Sequence, residues 1–194
     1  MMPTLYFIFG QLLGDFVLQP NELIKWKLRA WQGIFFHAVI HFLIYLLVFF
    51  AFLPDLTVFL TILGVTGAHF FIDYLKINAE KKGRRFRFYF LTDQFSHLFI
   101  MIAAGLALSG LRPHFFALSS FSILYENTYI LAGLILLILF TSFLEIWFFQ
   151  AKREKNPGAE YKPDYDAMLK RAAIFTAIYG AFMIFGVYKV AAME

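Results

Sequence analysis

Long apolar runs alternate with short basic stretches along this chain. Runs of roughly membrane-crossing length fall at about 3–19, 33–53, 56–77, 91–110, 127–150 and 166–189. About 20 mostly apolar residues in a helix span the ~30 Å of a bilayer's hydrocarbon. The pattern predicts an all-α polytopic membrane protein, a bundle of about six transmembrane helices forming one domain over 1–194. The first run is short. The stretch "LRPHFFALSSFSILYE" at 111–126 reads as a re-entrant or interfacial piece. The N-terminus lacks a basic leader and a small-residue cleavage site, and Asp15 interrupts it, so it is read as the first helix and not as a signal peptide.

Composition agrees with this reading. The chain is 61% hydrophobic and 21% aromatic, with mean hydropathy +0.69, whereas soluble domains are about 45–50% apolar. The absence of cysteine excludes disulfides, zinc–thiolate sites and cysteine nucleophiles. The net charge of +4 is no nucleic-acid signal, and no nucleic-acid partner is expected. Its distribution says more. All but Arg112 and Lys189 of the 17 basic residues fall in three connections, after the first, third and fifth runs. The positive-inside rule then places those connections in the cytoplasm and both termini outside, for a multi-pass protein of the plasma (inner) membrane. The connector "NELIKWKLRAWQ" at 21–32 mixes tryptophans with cations and suits the headgroup level. Membrane lipids are therefore expected partners. The stretch "KREKNPGAEYKPDYD" at 152–166 reads as a solvated loop.

The chemistry lies where polar residues break the apolar runs. Asp15 is near the end of the first run, in "GDFVLQ". His37 and His41 open the second, in "HAVIH"; His69 and Asp73 close the third, in "HFFIDYLK"; Asp93 and His97 open the fourth, in "DQFSH". Alternation of the spans brings all seven to the same side of the membrane. Three of the sets are i,i+4 pairs, which share one helix face. The same spacing carries the two histidines of HExxH zinc sites. An unpaired Asp at the bilayer centre costs about 2.5–3.5 kcal/mol, so three of them call for pairing, water or a metal.

Four imidazoles and three carboxylates without sulfur suit a divalent cation such as Zn, Mn or Fe. Seven donors exceed one tetrahedral shell, so two ions fit the set as well. The expected metal ligands are His37, His41, His69, Asp73, Asp93 and His97, and a free carboxylate, Asp15 or Asp93, is the expected catalytic base. Gln19, Lys76 and Gln94 are candidates to orient ligands or to bind an anionic substrate. Lys76 reads equally well as a snorkelling lysine. Glu145 is expected to pair with Lys170 or Arg171, or to carry protons. A proton or ion pathway, a bis-histidine haem site and a purely structural polar network are the competing readings of the cluster. There is also an internal echo: Asp15 precedes His37 and His41 much as Asp73 precedes Asp93 and His97, suggesting that spans one–two and three–four form a parallel pseudo-repeat.

Taken in order, "GDFVLQ", "HAVIH", "HFFIDYLK" and "DQFSH" resemble a bacterial membrane family, domain of unknown function 3307. The motif positions are Asp15, Phe16, Gln19, Lys27, His37, His41, His69, Asp73, Lys76, Asp93, Gln94 and His97. The resemblance covers about 5–105, leaves the helices at about 127–189 outside, and adds Lys27 to the residues expected around the ligands or the substrate. The pattern is loosely similar to that of membrane-bound metal-dependent hydrolases as well. That similarity implies hydrolysis of a phosphoester or lipid-linked substrate at a site open to the cytoplasm. The alternative is a divalent-cation or proton transporter using the same polar cluster.

Overall fold

A computed structural model describes residues 2–83, 85–111 and 127–191. Among these residues there is no β-strand. Helix α1 (Met2–Leu12) runs into a π-helical turn, Leu13–Val17. Helices α2 (Asn21–Arg29), α3 (Trp31–Val48), α4 (Leu56–Glu80) and α5 (Phe86–Ala107) follow, with a 3-10 turn at Phe50–Phe52 between α3 and α4. Next come α6 (Thr128–Ile138), a second π turn (Leu139–Phe143), α7 (Leu144–Lys155) and α8 (Tyr165–Ala191). The stretch at 111–126 expected to be re-entrant lies, apart from Leu111, outside the described residues.

Five helices are long and apolar enough to cross a membrane: Trp31–Val48, Leu56–Glu80, Phe86–Ala107, Thr128–Lys155 and Tyr165–Ile184. They correspond to the last five expected spans. The first is shorter. Its 11 α-helical and 5 π-helical residues reach about 24 Å at 1.5 Å per residue, the short first span that the sequence predicts. Helix α1 is packed into the bundle against α3, α5 and α6, with Tyr6, Phe7, Gln11 and Leu12 buried.

The buried residues explain the packing. Helix α4 buries Val58, Ile62, Val65, His69, Asp73 and Ile77, one stripe at helical spacing. Helix α5 buries Phe90, Asp93, His97, Met101 and Ala104 in the same way. On each stripe one end is apolar and the other polar. The apolar ends meet in a core of Phe7, Tyr45, Phe49, Val58, Ile62, Leu108 and Leu131. There the Phe7 ring lies 4.4 Å from Phe49 and 5.3 Å from Tyr45 between centroids, within the range of favourable aromatic pairs. The outer faces carry exposed Phe35, Leu43, Leu47, Phe71, Phe95 and Phe99. So much exposed apolar surface is foreign to a soluble monomer and suits a lipid-facing belt.

The neighbour relations fit the internal echo. Helix α1 packs on α5 and α3 packs on α4, as a two-fold exchange of the pairs α1–α3 and α4–α5 requires. Helix α8 lies at the periphery, none of its most apolar 18-residue window being buried. It is tied to the bundle by Arg171 Nη2 donating to Glu145 Oε2 at 2.7 Å and by the Tyr179 hydroxyl donating to the Tyr129 carbonyl. Glu145 therefore pairs with Arg171, one of the two partners expected for it.

Candidate metal centre

The polar ends of the stripes converge. His37, His41, His69 and His97 are at most 3% exposed. Between ring centroids, His41 lies 3.9 Å from His69, His97 lies 4.4 Å from His69, and His37 lies 4.6 Å from His41. Asp15 reaches this group from the π turn that follows α1. Single π turns inside helices are often found at functional sites. Asp15 Oδ1 is 2.9 Å from His37 Nε2 and 3.3 Å from His41 Nε2.

Two glycines permit the arrangement. A Cβ on Gly14 would stand 2.3 Å from Cε1 of His41, so the imidazole fills the place of that side chain. A Cβ on Gly33 would stand 2.5 Å from the Lys27 backbone nitrogen, so glycine lets α2 fold back over the start of α3. This brings Lys27 Nζ to 2.5 Å from Asp73 Oδ2. Gly14→Ala is expected to push the His41 ring aside and weaken metal binding about 10–100-fold, the usual cost of disturbing the support of a ligand. Metal titration of the variant, with circular dichroism as the check on folding, measures this; unchanged affinity would contradict the packing argument.

Two donor groups are compact enough for one cation each. Asp15, His37, His41 and His69 form the first; His69, Asp73 and His97 form the second, and within each the ligand atoms lie within 4.8 Å of one another. His69 belongs to both. The fit is chemical as well as geometric. His41 Nδ1, His69 Nε2 and His97 Nε2 are buried without any hydrogen-bond partner. A buried polar atom left unpaired costs about 1–3 kcal/mol, and nearly all such atoms in native proteins are paired. A bound cation would satisfy ring nitrogens that have no hydrogen-bond partner. The donors are nitrogen and oxygen only, the set that zinc, manganese and iron accept.

Asp93, expected as ligand and as base, stands apart from both groups. Its Oδ2 accepts from Lys76 Nζ and from Gln94 Nε2, each at 2.9 Å. Its Oδ1 is buried without a hydrogen bond and lies 3.6 Å from His97 Nδ1, which donates to the Asp93 carbonyl at 2.9 Å. Lys76 is thus an ion-pair partner and does not simply snorkel. Gln19, with its amide oriented to suit its neighbours, donates to the Asp15 carbonyl oxygen at 3.2 Å and accepts from Lys27 Nζ at 3.0 Å. Of the residues expected around the ligands, Gln19 and Lys27 reach the donor groups at Asp15 and Asp73, whereas Lys76 and Gln94 reach Asp93.

Two participants escaped the reading of the sequence. Gln11 donates to Asp15 Oδ2 at 2.6 Å and lies 3.3 Å from His69 Nδ1, and the Tyr45 hydroxyl donates to Gln11 Oε1 at 3.0 Å. Their signal was present. Gln11 sits four residues before Asp15, as His69 sits four before Asp73, and Tyr45 continues the His37–His41 spacing by one more turn.

A cavity of about 500 Å³ opens from the cluster on the side of the basic connections. Asp15, Asp73, Asp93, Lys27 and Lys76 lie at its polar face. Part of its wall is α7 and the segment 157–161, the stretch expected to be a solvated loop. Helix α7 continues to Lys155, and the loop folds back so that Tyr161 packs 5.0 Å from the Phe149 ring.

Residues 4–125 match the model of a family described as a protein of unknown function, DUF3307. The chain belongs to the DUF3307 family. The match runs past the boundary expected near 105 and includes every donor of the cluster, while α6–α8 lie beyond it. The shared DUF3307 part therefore carries the candidate ligands, and the cavity wall from α7 lies outside the match. No curated protein and no solved structure matches the chain.

Proposed function

We propose that this DUF3307 protein is a metal-dependent membrane hydrolase acting on a phosphoester, with its site open to the cytoplasm. The observation that carries the reading is the set of buried, unpartnered imidazole nitrogens of His41, His69 and His97, gathered with carboxylates beneath an open cavity. His37, His41, His69 and Asp15 would hold one ion, and Asp73 and His97 with His69 a second. The chemistry such an ion supplies is a bound water acidic enough to ionise near pH 7 and charge stabilisation at a phosphoryl oxygen.

The chain's own groups complete the site. Gln11, held by Tyr45, orients the Asp15 carboxylate. Asp93 presents an oxygen free of hydrogen bonds and is the candidate proton acceptor. Lys27 and Lys76 line the cavity and, paired with Asp73 and Asp93, offset the negative charge that an anion would meet at the cluster. The basic connections Lys25–Arg29, Lys76–Arg87 and Lys152–Lys155, on the side of the cavity mouth, support a cytoplasmic opening by the positive-inside rule.

Transport through the same cluster would need a polar route to the other side. Among the described residues the core beyond the site is aromatic and aliphatic, built from Phe7, Phe49, Ile62 and Leu108, which favours one-sided chemistry.

The test is turnover of phosphomonoesters and phosphodiesters by the full chain in detergent. Hydrolysis is expected to vanish on chelation and return with zinc, manganese or iron. Asp93→Asn is expected to lower turnover about 10²–10⁴-fold, the range for loss of a general base, with metal content unchanged. Metal-loaded protein that cleaves none of these esters, or hydrolysis indifferent to chelation, would overturn the proposal.

A further inference from the structure

The cavity has two kinds of wall. One is the ionic face already described. The other is apolar, made by Ile24 and Leu28 of α2 and by Ile146 and Phe149 of α7. A small hydrophilic phosphoester would leave this second wall wet. At the mouth, Lys25 and Arg29 are exposed and form no ion pair with any described residue. Lys27, Lys76 and Arg153, by contrast, are each paired with a carboxylate. Two free cations thus stand at the entrance to a cavity whose interior cations are engaged.

The mouth sits where a bilayer meets water. On the same short connector Trp26 is 43% exposed and Trp31 is 57% exposed, and tryptophan beside lysine and arginine marks the headgroup level. On the facing loop Glu160 is exposed and also lines the cavity, so the entrance carries one carboxylate against the two free cations. The volume of about 500 Å³ lies within the usual range for small-molecule sites. It is sized for a headgroup and the start of a chain, leaving the rest of a tail in the membrane.

From these features we infer that the cavity takes an amphipathic phosphoester, a lipid whose anionic headgroup passes Lys25 and Arg29 and whose tail lies on Ile24, Leu28, Ile146 and Phe149. This rests on the hydrolase reading for the fate of the ligand but not for its binding. It also divides the labour within the chain. The family-matched part holds the polar cluster and, through Ile24 and Leu28, part of the tail wall, and α7, beyond the match, supplies the rest.

Binding can be measured without turnover, on the chelated full-length protein in nanodiscs of zwitterionic phosphatidylcholine. The probes are hexyl phosphate, inorganic phosphate and uncharged hexyl glucoside, followed by calorimetric titration. Hexyl phosphate is expected to bind at least tenfold more tightly than either other probe. Lys25→Gln with Arg29→Gln should weaken it about tenfold or more, given the pull of each basic residue near a surface. Phe149→Ala should bring hexyl phosphate down toward the level of inorganic phosphate, with circular dichroism and metal uptake unchanged. Equal affinity for hexyl and inorganic phosphate would mean a free-phosphate subsite and would overturn the inference, as would hexyl glucoside binding as tightly as hexyl phosphate. Tight, tail-dependent binding without hydrolysis by the metal-loaded protein would instead overturn the hydrolase reading and leave the lipid site standing.

Discussion

His69→Ala is expected to strip the protein of metal and abolish turnover. His69 is the residue common to both donor groups, it is buried, and its Nε2 has no other partner to satisfy. Loss of an outer partner of a metal ligand costs about 10–100-fold in affinity or activity. Loss of a ligand serving both groups is expected to exceed that, about 1,000-fold or more. The helix itself should survive, because alanine favours it and the α4 stripe keeps Val58, Ile62 and Val65 in the core. Equilibrium dialysis against zinc, with circular dichroism as the control, reads both effects. A variant that keeps wild-type affinity would show that the imidazoles merely pack against one another.

Lys27→Met should carry the largest penalty in stability. Lys27 Nζ lies 2.5 Å from Asp73 Oδ2, and the two side chains are 11% and 4% exposed. Removing the cation leaves the carboxylate buried with only His37 at 3.8 Å and His69 at 3.7 Å beside it. Breaking a buried pair from one side costs about 3–5 kcal/mol, whereas replacing both partners with neutral groups is often close to neutral. The metal-free single variant should therefore melt well below wild type in detergent, and Lys27→Met with Asp73→Asn should recover most of the loss. Added divalent cation should rescue the single variant, because Asp73 belongs to the second donor group. Equal melting of the single variant and wild type without metal would show that the pair does not hold α2 on α4.

Much of this was legible in the sequence, for a physical reason. A histidine or aspartate inside an apolar run is costly in a membrane, so its position marks an interior face. The i,i+4 spacings of His37/His41, His69/Asp73 and Asp93/His97 then gave the faces directly. What sequence spacing could not give was the choice of partner between helices. Lys27, a neighbour of Asp15 by proximity in the chain, forms its ion pair with Asp73 because Gly33 lets α2 fold back across α3. Asp93 turns to Lys76, and Asp15 takes a place among the imidazoles because a π turn redirects it. The first span is the shortest, and its sequence does not reveal that the α-helix gives way to a π turn at Leu13–Val17. The segment 157–161 is largely exposed, as its polar residues suggest, and what its composition does not show is the Tyr161–Phe149 contact that holds it beside the cavity.

The most direct test is metal content by mass spectrometry, on protein purified without affinity-tag metals. The expected result is at least one equivalent of zinc, manganese or iron per chain, lost in His69→Ala. Folded wild-type protein that carries no metal and takes up none on titration would contradict the metal centre, and the cluster of four histidines and three aspartates would then stand as a polar network sustained by its own ion pairs.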